Sequence, residues 1–441
     1  MDVLAWGRLL TAVTLAVHIV FAVFGVAMPL LISAAELLAI RRRDPFYRAL
    51  ARRWAHGFLV AFAVGAATGT IVAAELSVVW PRFMQVVGNV IALPFLIEVI
   101  AFFLEAIFLG VWLYGWERFR SPWGHWLTSL PMVVSGPASA LLITIVNAFM
   151  NAPGGFRLAG GRVVAAQPWT AMFSPGWGIE VGHVLASAFT AAGFGLAAWA
   201  ALSHLRTPHP YFRRQIGLTA GVGLVGAVAS VITGDLSGKF LAHVQPLKLA
   251  AMEGLFRTQA AAPLTVGGYV DAAHRAVVGG IQLPGLLSWL AYGSSAHPVR
   301  GLDAFPPRLW PPLAIHVFFD LMVAFGGLLL VVGAVYALVP SLRERRWFLA
   351  LLVAMGPVAF LAMEFGWMVD ELGRQPYIVY GVMTVGQAIT ANPDLPAVAV
   401  LVLALLAAAG AGVVWGLMRI FRSVALPEDG AAAGSEEAMA G

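Results

Sequence analysis

A long apolar stretch of the chain ends in Gly366-Trp367-Met368-Val369-Asp370-Glu371-Leu372-Gly373-Arg374-Gln375-Pro376-Tyr377, which sets two acids, an arginine and a glutamine against sequence of hydrocarbon character. Two further acids, Glu98 and Glu105, interrupt the apolar run Ile97-Glu98-Val99-Ile100-Ala101-Phe102-Phe103-Leu104-Glu105. His18 is flanked by Ala16-Val17 and Ile19-Val20-Phe21, and His183 lies in Gly182-His183-Val184-Leu185-Ala186. An ionisable side chain at membrane depth costs several kcal/mol, so it usually faces a cavity, a partner or a cofactor. Carboxylates accept and pass protons, and imidazole is the commonest metal ligand among side chains. On a helix, Glu98 and Glu105 stand two turns apart on one face, about 10 Å from each other, a spacing that suits a proton relay. The plain alternatives are an acid buried against an arginine of another helix and a histidine hydrogen-bonded within a core.

The elements that must position these residues are membrane spans. The 441-residue chain is 60% hydrophobic and 11% charged, outside the range of soluble domains. Apolar runs long enough to cross about 30 Å of hydrocarbon fall at roughly 9–40, 57–80, 88–114, 126–150, 178–203, 215–234, 311–339, 347–369 and 397–421. The expected fold is an all-α integral membrane protein of nine transmembrane helices occupying residues 1–425. The net charge of +5 does not point to nucleic acid, because the basic residues are mostly arginines in short connections. Arg41, Arg42, Arg43, Arg48, Arg52 and Arg53, then Arg118 and Arg120, then Arg206, Arg213 and Arg214, then Arg343, Arg345 and Arg346, all fall on one side. The positive-inside rule makes that side cytoplasmic, with the N-terminus outside and the C-terminus inside after Arg419 and Arg422. The first span is too long for a signal peptide and lacks a basic leader and a cleavage site, so it reads as retained. With no cysteine, disulfides, iron–sulfur clusters, c-type haem attachment and thiolate copper are excluded; imidazole, thioether and carboxylate remain as metal ligands.

Two segments stand apart from the spans. Residues 426–441, rich in Ala, Gly and Glu, bury too little apolar surface to offset their ordering entropy and are expected to be a disordered cytoplasmic tail. Residues 235–310 form the one long connection, placed outside, and a loop of that length usually carries function. It holds both lysines of the chain, Lys239 and Lys248.

The row Gly-Trp-x-x-x-Glu-x-Gly-Arg-Gln-Pro at 366–376 resembles the signature of subunit I of cytochrome bd-type quinol oxidases. The resemblance implies that Glu371 ligates or adjoins a high-spin haem, that Arg374 partners haem propionates and that Trp367 walls the haem pair. Gln245-Pro246-Leu247-Lys248-Leu249-Ala250-Ala251-Met252-Glu253 is similar to that family's quinol-binding segment, in its shorter form; on that likeness Lys248 and Glu253 bind the quinol headgroup. A carboxylate there fits the chemistry, because quinol oxidation needs a base for the departing proton. The segment from Arg8 to His18 resembles the family's first helix, making His18 a high-spin haem ligand. His183 and Met322, in Phe318-Phe319-Asp320-Leu321-Met322-Val323, resemble the axial pair of a low-spin haem b; His/Met ligation holds a haem that only transfers electrons. Asp320 departs from the pattern, since an arginine often faces the haem there. Ser139 and Asn147 match family positions that extend a hydrogen-bonded path from Glu105 and Glu98 toward the cytoplasm.

The expected function is therefore the haem-bearing subunit of a terminal quinol oxidase in the bacterial cytoplasmic membrane, with the short-loop, cyanide-insensitive branch among the forms it could represent. The implied cofactors are a low-spin haem b, a high-spin haem b, and haem d or a further haem b. The implied partners are membrane quinol, molecular oxygen, a second membrane subunit and a small third one. Helix direction agrees with this assignment: His183, Met322 and Glu371 all fall near the outer ends of their spans, beside the long loop. The rivals fare worse. A bis-histidine cytochrome b needs two histidines on each of two helices, and a haem-copper oxidase needs an intramembrane histidine cluster, for which only His18, His183 and His316 are candidates. A proton-coupled secondary transporter would show an internal repeat with broken helices, and no such repeat is legible.

Overall fold

Proline and aspartate set where the helices begin. Asp2 caps the first helix by accepting the Ala5 N–H at 2.7 Å, and Asp44 caps the second by accepting that of Phe46 at 2.9 Å, with Pro45 in its first turn. A proline there gives up an N–H that would have been unpaired in any case. The computed structural model describes residues 2–160 and 162–423. It contains α1 (Val3–Arg42), α2 (Pro45–Val78), α3 (Pro81–Gly115), a short α4 (Pro122–Leu127) leading into α5 (Leu130–Asn151), α6 (Pro168–Met172), α7 (Trp177–Arg206), α8 (Pro210–Val244), α9 (Pro246–Met252), α10 (Leu286–Tyr292), α11 (Ile315–Leu338), α12 (Arg346–Arg374), α13 (Val385–Ala388) and α14 (Leu395–Ser423). Among the described residues, nine helical segments are long and apolar enough to cross a membrane, in the expected order.

The helices outrun the apolar spans that announced them. Arg48, Arg52 and Arg53 lie in the opening turns of α2 instead of a loop, because the Asp44 cap and Pro45 start the helix early. Likewise α8 runs on to Val244, so Asp235 and Lys239 are helical and pair with each other at a four-residue spacing. The long connection thus starts at Gln245. It is not alone at its end of the molecule: residues 152–176 and 375–394 also form substantial connections. Together these carry four two-stranded antiparallel ribbons, β1 (Arg157–Ala159) with β2 (Arg162–Val164), β3 (Leu264–Val266) with β6 (Ile281–Leu283), β4 (Tyr269–Asp271) with β5 (Ala276–Val278), and β7 (Tyr377–Val379) with β8 (Met383–Thr384). An otherwise helical fold therefore carries small ribbons at one end, which we call the loop end. The short, arginine-bearing links lie at the other. The tail at 426–441 is outside the described residues.

Packing divides the bundle into two four-helix units. In one, α1 packs on α2 and α5, and α3 on α5; in the other, α7 packs on α8 and α12, and α11 on both of these. The remaining long helix, α14, lies against α1 and α2. Small residues allow the closest approaches, as expected where apolar burial does not itself drive helices together. A Cβ on Gly193 of α7 would collide with the backbone of Gly223 on α8, and one on Gly136 of α5 with the carbonyl of Gly25 on α1. The largest cluster of buried apolar side chains threads through both units, from Val26 and Trp54 through Ala191 and Ala197 to Leu352 and Met355.

Candidate functional site

Five elements meet at the loop end around the last turns of α12. Glu371 accepts Asn147 Nδ2 of α5 at 2.9 Å on one oxygen and Arg374 Nη2 at 2.6 Å on the other. Asp370 accepts Lys248 Nζ of α9 at 2.7 Å and Asn151 Nδ2 at 3.1 Å. Asn151 also donates to Asn147 Oδ1 at 2.7 Å, and its own backbone carbonyl accepts Gln245 Nε2 at 2.5 Å. Glu180, in the first turn of α7, lies within electrostatic range of Asp370, Lys248, Arg374 and Glu371. The lysine fits because residue 373 is glycine: a Cβ there would run into Lys248 Cε.

Arg374 is the atom-level clue to a bound anion. Its side chain is 2% exposed, yet Nε and Nη1 have no partner. A buried guanidinium with two idle nitrogens costs free energy unless an acceptor arrives, and a planar fork of donors suits a carboxylate. Haem propionates have that chemistry, so the residues present fit the group expected from sequence. Trp367 stands one turn before Glu371 and packs on the main core.

The two histidines expected from sequence to be ligands share one arrangement. His18 Nδ1 of α1 is 3.0 Å from Thr68 Oγ1 of α2, and His183 Nδ1 of α7 is 3.0 Å from Thr233 Oγ1 of α8. Both rings are only half-buried within apolar helices, with Nε2 free of partners. Met322 is on α11, diagonally across its unit from α7, and its Sδ comes close to α12 at Gly366, where a Cβ would sit 3.2 Å from it. His183 and Met322 lie about 9 Å and 10 Å along their helices from the loop end, by the rise per residue. His316, by contrast, is fully buried with Nδ1 2.7 Å from the Met252 carbonyl and Nε2 3.2 Å from that of Gly267. It ties the long connection to α11 and offers no free nitrogen.

Lys248 and Glu253, paired by sequence as one headgroup site, lead to different neighbourhoods. Lys248 is 4% exposed and committed to Asp370. Glu253, at the end of α9, is buried with Oε2 unpartnered; its burial and then the nearby Asp320 carboxylate push its pKa up to about 8. Asp320 itself accepts the Gly267 N–H at 2.6 Å and lies 3.5 Å from His316. The residue that replaces an arginine thus fastens the β3–β4 turn.

On the relay, Ser139 donates to Glu98 at 2.8 Å. Glu105 is buried, with Oε1 unpartnered beside the Gly25–Gly136 contact. Since α3 and α5 run in opposite directions, Glu105, then Glu98 with Ser139, then Asn147 with Glu371 follow one another toward the loop end, the reverse of the direction expected of Ser139 and Asn147, because α5 carries its later residues away from the arginine end. His56 is exposed on α2 and bonds the Arg52 carbonyl.

Sequence reading passed over Asp370 as a lysine partner, Asn151, Gln245, Glu180, Thr68, Thr233 and Glu364. Glu364 sits two turns before Glu371 on the same face of α12, with Oε1 buried and unpartnered. The seven-residue spacing that drew attention to Glu98 and Glu105 recurs there and could have found it.

Residues 6–425 match the family model for cytochrome bd terminal oxidase subunit I. The chain is 36% identical over 440 residues, 97% of its own length and 99% of the relative's, to a putative cytochrome bd menaquinol oxidase subunit I of Bacillus subtilis (strain 168). It is 28% identical over 411 residues, 89% of its length and 87% of the relative's, to cytochrome bd ubiquinol oxidase subunit 1 of the same organism. The solved structure of bd oxidase from Geobacillus thermodenitrificans superposes with a TM-score of 0.92 at 43% identity, covering 96% of this chain and 98% of that one. Nothing in these likenesses favours a transporter. With family model, full-length relatives and fold in agreement, the chain belongs to the cytochrome bd terminal oxidase subunit I family, a family of haem-bearing bacterial membrane oxidoreductases.

Proposed function

We propose that this chain is the haem-bearing subunit of a quinol:oxygen oxidoreductase that works with a second membrane subunit, and with a small third subunit as well. The observation that carries the reading is the buried Arg374 with two unpaired nitrogens, held beside Glu371. His183 and Met322 hold a low-spin haem b, and His18 and Glu371 hold the high-spin pair, one haem b and one haem d or b. When bound, these groups supply electron transfer from quinol and the reduction of oxygen to water.

The side chains do the rest. Arg374 neutralises propionate charge and, with Asn147, fixes the Glu371 carboxylate by a bond to each oxygen. Lys248 pairs with Asp370 and Arg374 with Glu371, so that each acid of this turn of α12 has its own cationic partner. Glu253 is the base for the quinol proton: an acid whose pKa stands at about 8 is poised to take up and release a proton near neutral pH. Glu105, Glu98 and Ser139 bring protons from the arginine end. The arginine-bearing end faces the cytoplasm and the loop end faces outward, by the positive-inside rule, so the charge consumed and the charge released are separated across the membrane.

The test is a reduced-minus-oxidised spectrum of the purified complex with haem extraction. Three haems per chain, and loss of the low-spin signal in Met322→Leu, are expected. A haem-free complex, or an unaltered low-spin signal in that variant, overturns the assignment.

A further inference from the structure

The His–Thr contact occurs twice, in equivalent places. His18 and Thr68 are 50 residues apart, as are His183 and Thr233. Each histidine is on the first helix of its four-helix unit and each threonine on the second. Each threonine is followed by a glycine that lies under the imidazole: a Cβ on Gly69 would sit 3.0 Å from His18 Cε1, and one on Gly234 3.4 Å from His183 Cε1. The absence of a legible repeat in the sequence therefore needs amending. Two positions of a Thr-Gly dipeptide repeat in step with a histidine, and the units run in the same sense along the chain, unlike the inverted repeats of transporters.

The threonine hydroxyl has one proton, and its own helix takes it. Thr68 Oγ1 donates to the Val64 carbonyl at 2.8 Å, and Thr233 Oγ1 to that of Ala229 at 2.8 Å. Each oxygen then has only lone pairs to offer the ring, and the backbone carbonyls of Gly65 and Ser230 stand beside it as further acceptors, an arrangement that places the hydrogen on Nδ1 and leaves Nε2 bare. That is the tautomer and orientation an iron ligand needs, and such outer partners tune how strongly the imidazole donates. The buried His125 makes the contrast. Its Nδ1 is 2.5 Å from Glu36 and its Nε2 2.9 Å from the Trp112 carbonyl, so no lone pair is free.

We infer that Thr68-Gly69 and Thr233-Gly234 are two copies of one ligand-positioning device, in which the threonine oxygen fixes the histidine tautomer and the glycine admits the ring. A hydroxyl is a weaker acceptor than a carboxylate, so it would polarise the imidazole less, and to the same degree at both histidines. The different roles of the two sites then come from the rest of each unit: Met322 on α11 in one, the acids Glu98 and Glu105 on α3 in the other. Thr68 and Thr233 are positioning residues that act through the histidines they touch.

This inference rests on the haem assignment above, and its test separates the two. The full complex is prepared with Thr68→Val, Thr68→Ser, Thr233→Val and Thr233→Ser. The readouts are the resonance Raman iron–histidine stretch of the reduced high-spin haem and the midpoint potential of the low-spin haem. Thr68→Val should lower that stretch and leave the low-spin potential in place. Thr233→Val should raise the low-spin potential and leave the stretch in place. Each serine variant should restore the parental signal, including haem content where the valine variant loses haem. Valine variants that keep their own haem's signature, serine variants that fail to restore it, or equal disturbance of both haems overturn the device. A parental complex without haem overturns the functional assignment instead.

Discussion

Two buried polar clusters sit at opposite ends of the bundle. At the arginine end, Glu36 takes His125 Nδ1 at 2.5 Å and Trp112 Nε1 at 2.6 Å, and His125 Nε2 reaches the Trp112 carbonyl at 2.9 Å. Every polar side-chain atom there is used, and all three side chains are buried. At the loop end, Lys248, Asp370, Glu371, Asn147 and Asn151 are as densely bonded, but Arg374 keeps two nitrogens idle and Glu371 remains 37% exposed. A closed cluster stabilises and specifies a fold, whereas an open one carries an unmet demand that a guest can meet. Counting buried charges would have ranked the two alike; counting unsatisfied atoms separates them.

Removing the open cluster's central acid should have the largest effect. Glu371→Gln is expected to cut oxygen uptake by at least the roughly 10–100-fold that loss of an outer partner costs a metal site, with a high-spin haem lost on extraction and the low-spin spectrum kept. Lys248→Met should come next, since it strands Asp370 in a buried place; breaking such a pair costs about 3–5 kcal/mol. Thermal melting of the complex measures this, and adding Asp370→Asn should recover most of the loss. Recovery of melting without recovery of quinol oxidation would assign Lys248 to the headgroup as well as to the fold.

Glu36→Gln in the closed cluster should cost about 1–3 kcal/mol of stability while leaving haem content and spectra as they were. A changed haem spectrum in that variant would break the distinction drawn between the two ends. The effect of Glu253 depends on pH. Its folded pKa stands near 8, above the ordinary carboxylate range, so the folded state holds a proton that the unfolded chain has released. Stability is then greatest at low pH and falls as pH rises through the window from the unfolded value to about 8. Glu253→Gln should flatten that part of the melting-versus-pH curve and remove the rise in quinol oxidation rate between pH 7 and pH 9.

Much of this was legible in the residues. Apolar run length is a direct consequence of bilayer thickness, so the nine spans and their order could be read without a structure. The acids and arginine of 370–374 drew attention as charge beside hydrocarbon sequence, whereas the roles expected of Glu371, Arg374 and Trp367 came from the family resemblance. Helix ends were misjudged wherever a cap, not hydropathy, decided them, as Asp44-Pro45 did for α2. The ribbons escaped because three-residue strands bounded by Gly267-Gly268 and Gly279-Gly280 carry no periodicity to detect. Lys248 was singled out, but its partner lies 122 residues away, a distance that only folding closes. Thr68 and Thr233 were invisible for another reason: a threonine in an apolar helix is ordinary until the opposing helix is known.

The network at the loop end also has a history within each molecule's synthesis. Its members come from α5 in the first four-helix unit, from α9 in the connection, and from the last turn of α12 in the second unit. Asn147, Asn151 and Lys248 are therefore made long before the Asp370, Glu371 and Arg374 that they bind. Until ribosomal elongation passes residue 374, Lys248 has no counter-charge to accompany it into the interior. The place that receives the guest thus closes late, only once α12 is finished and with α14 alone among the long helices still to be made.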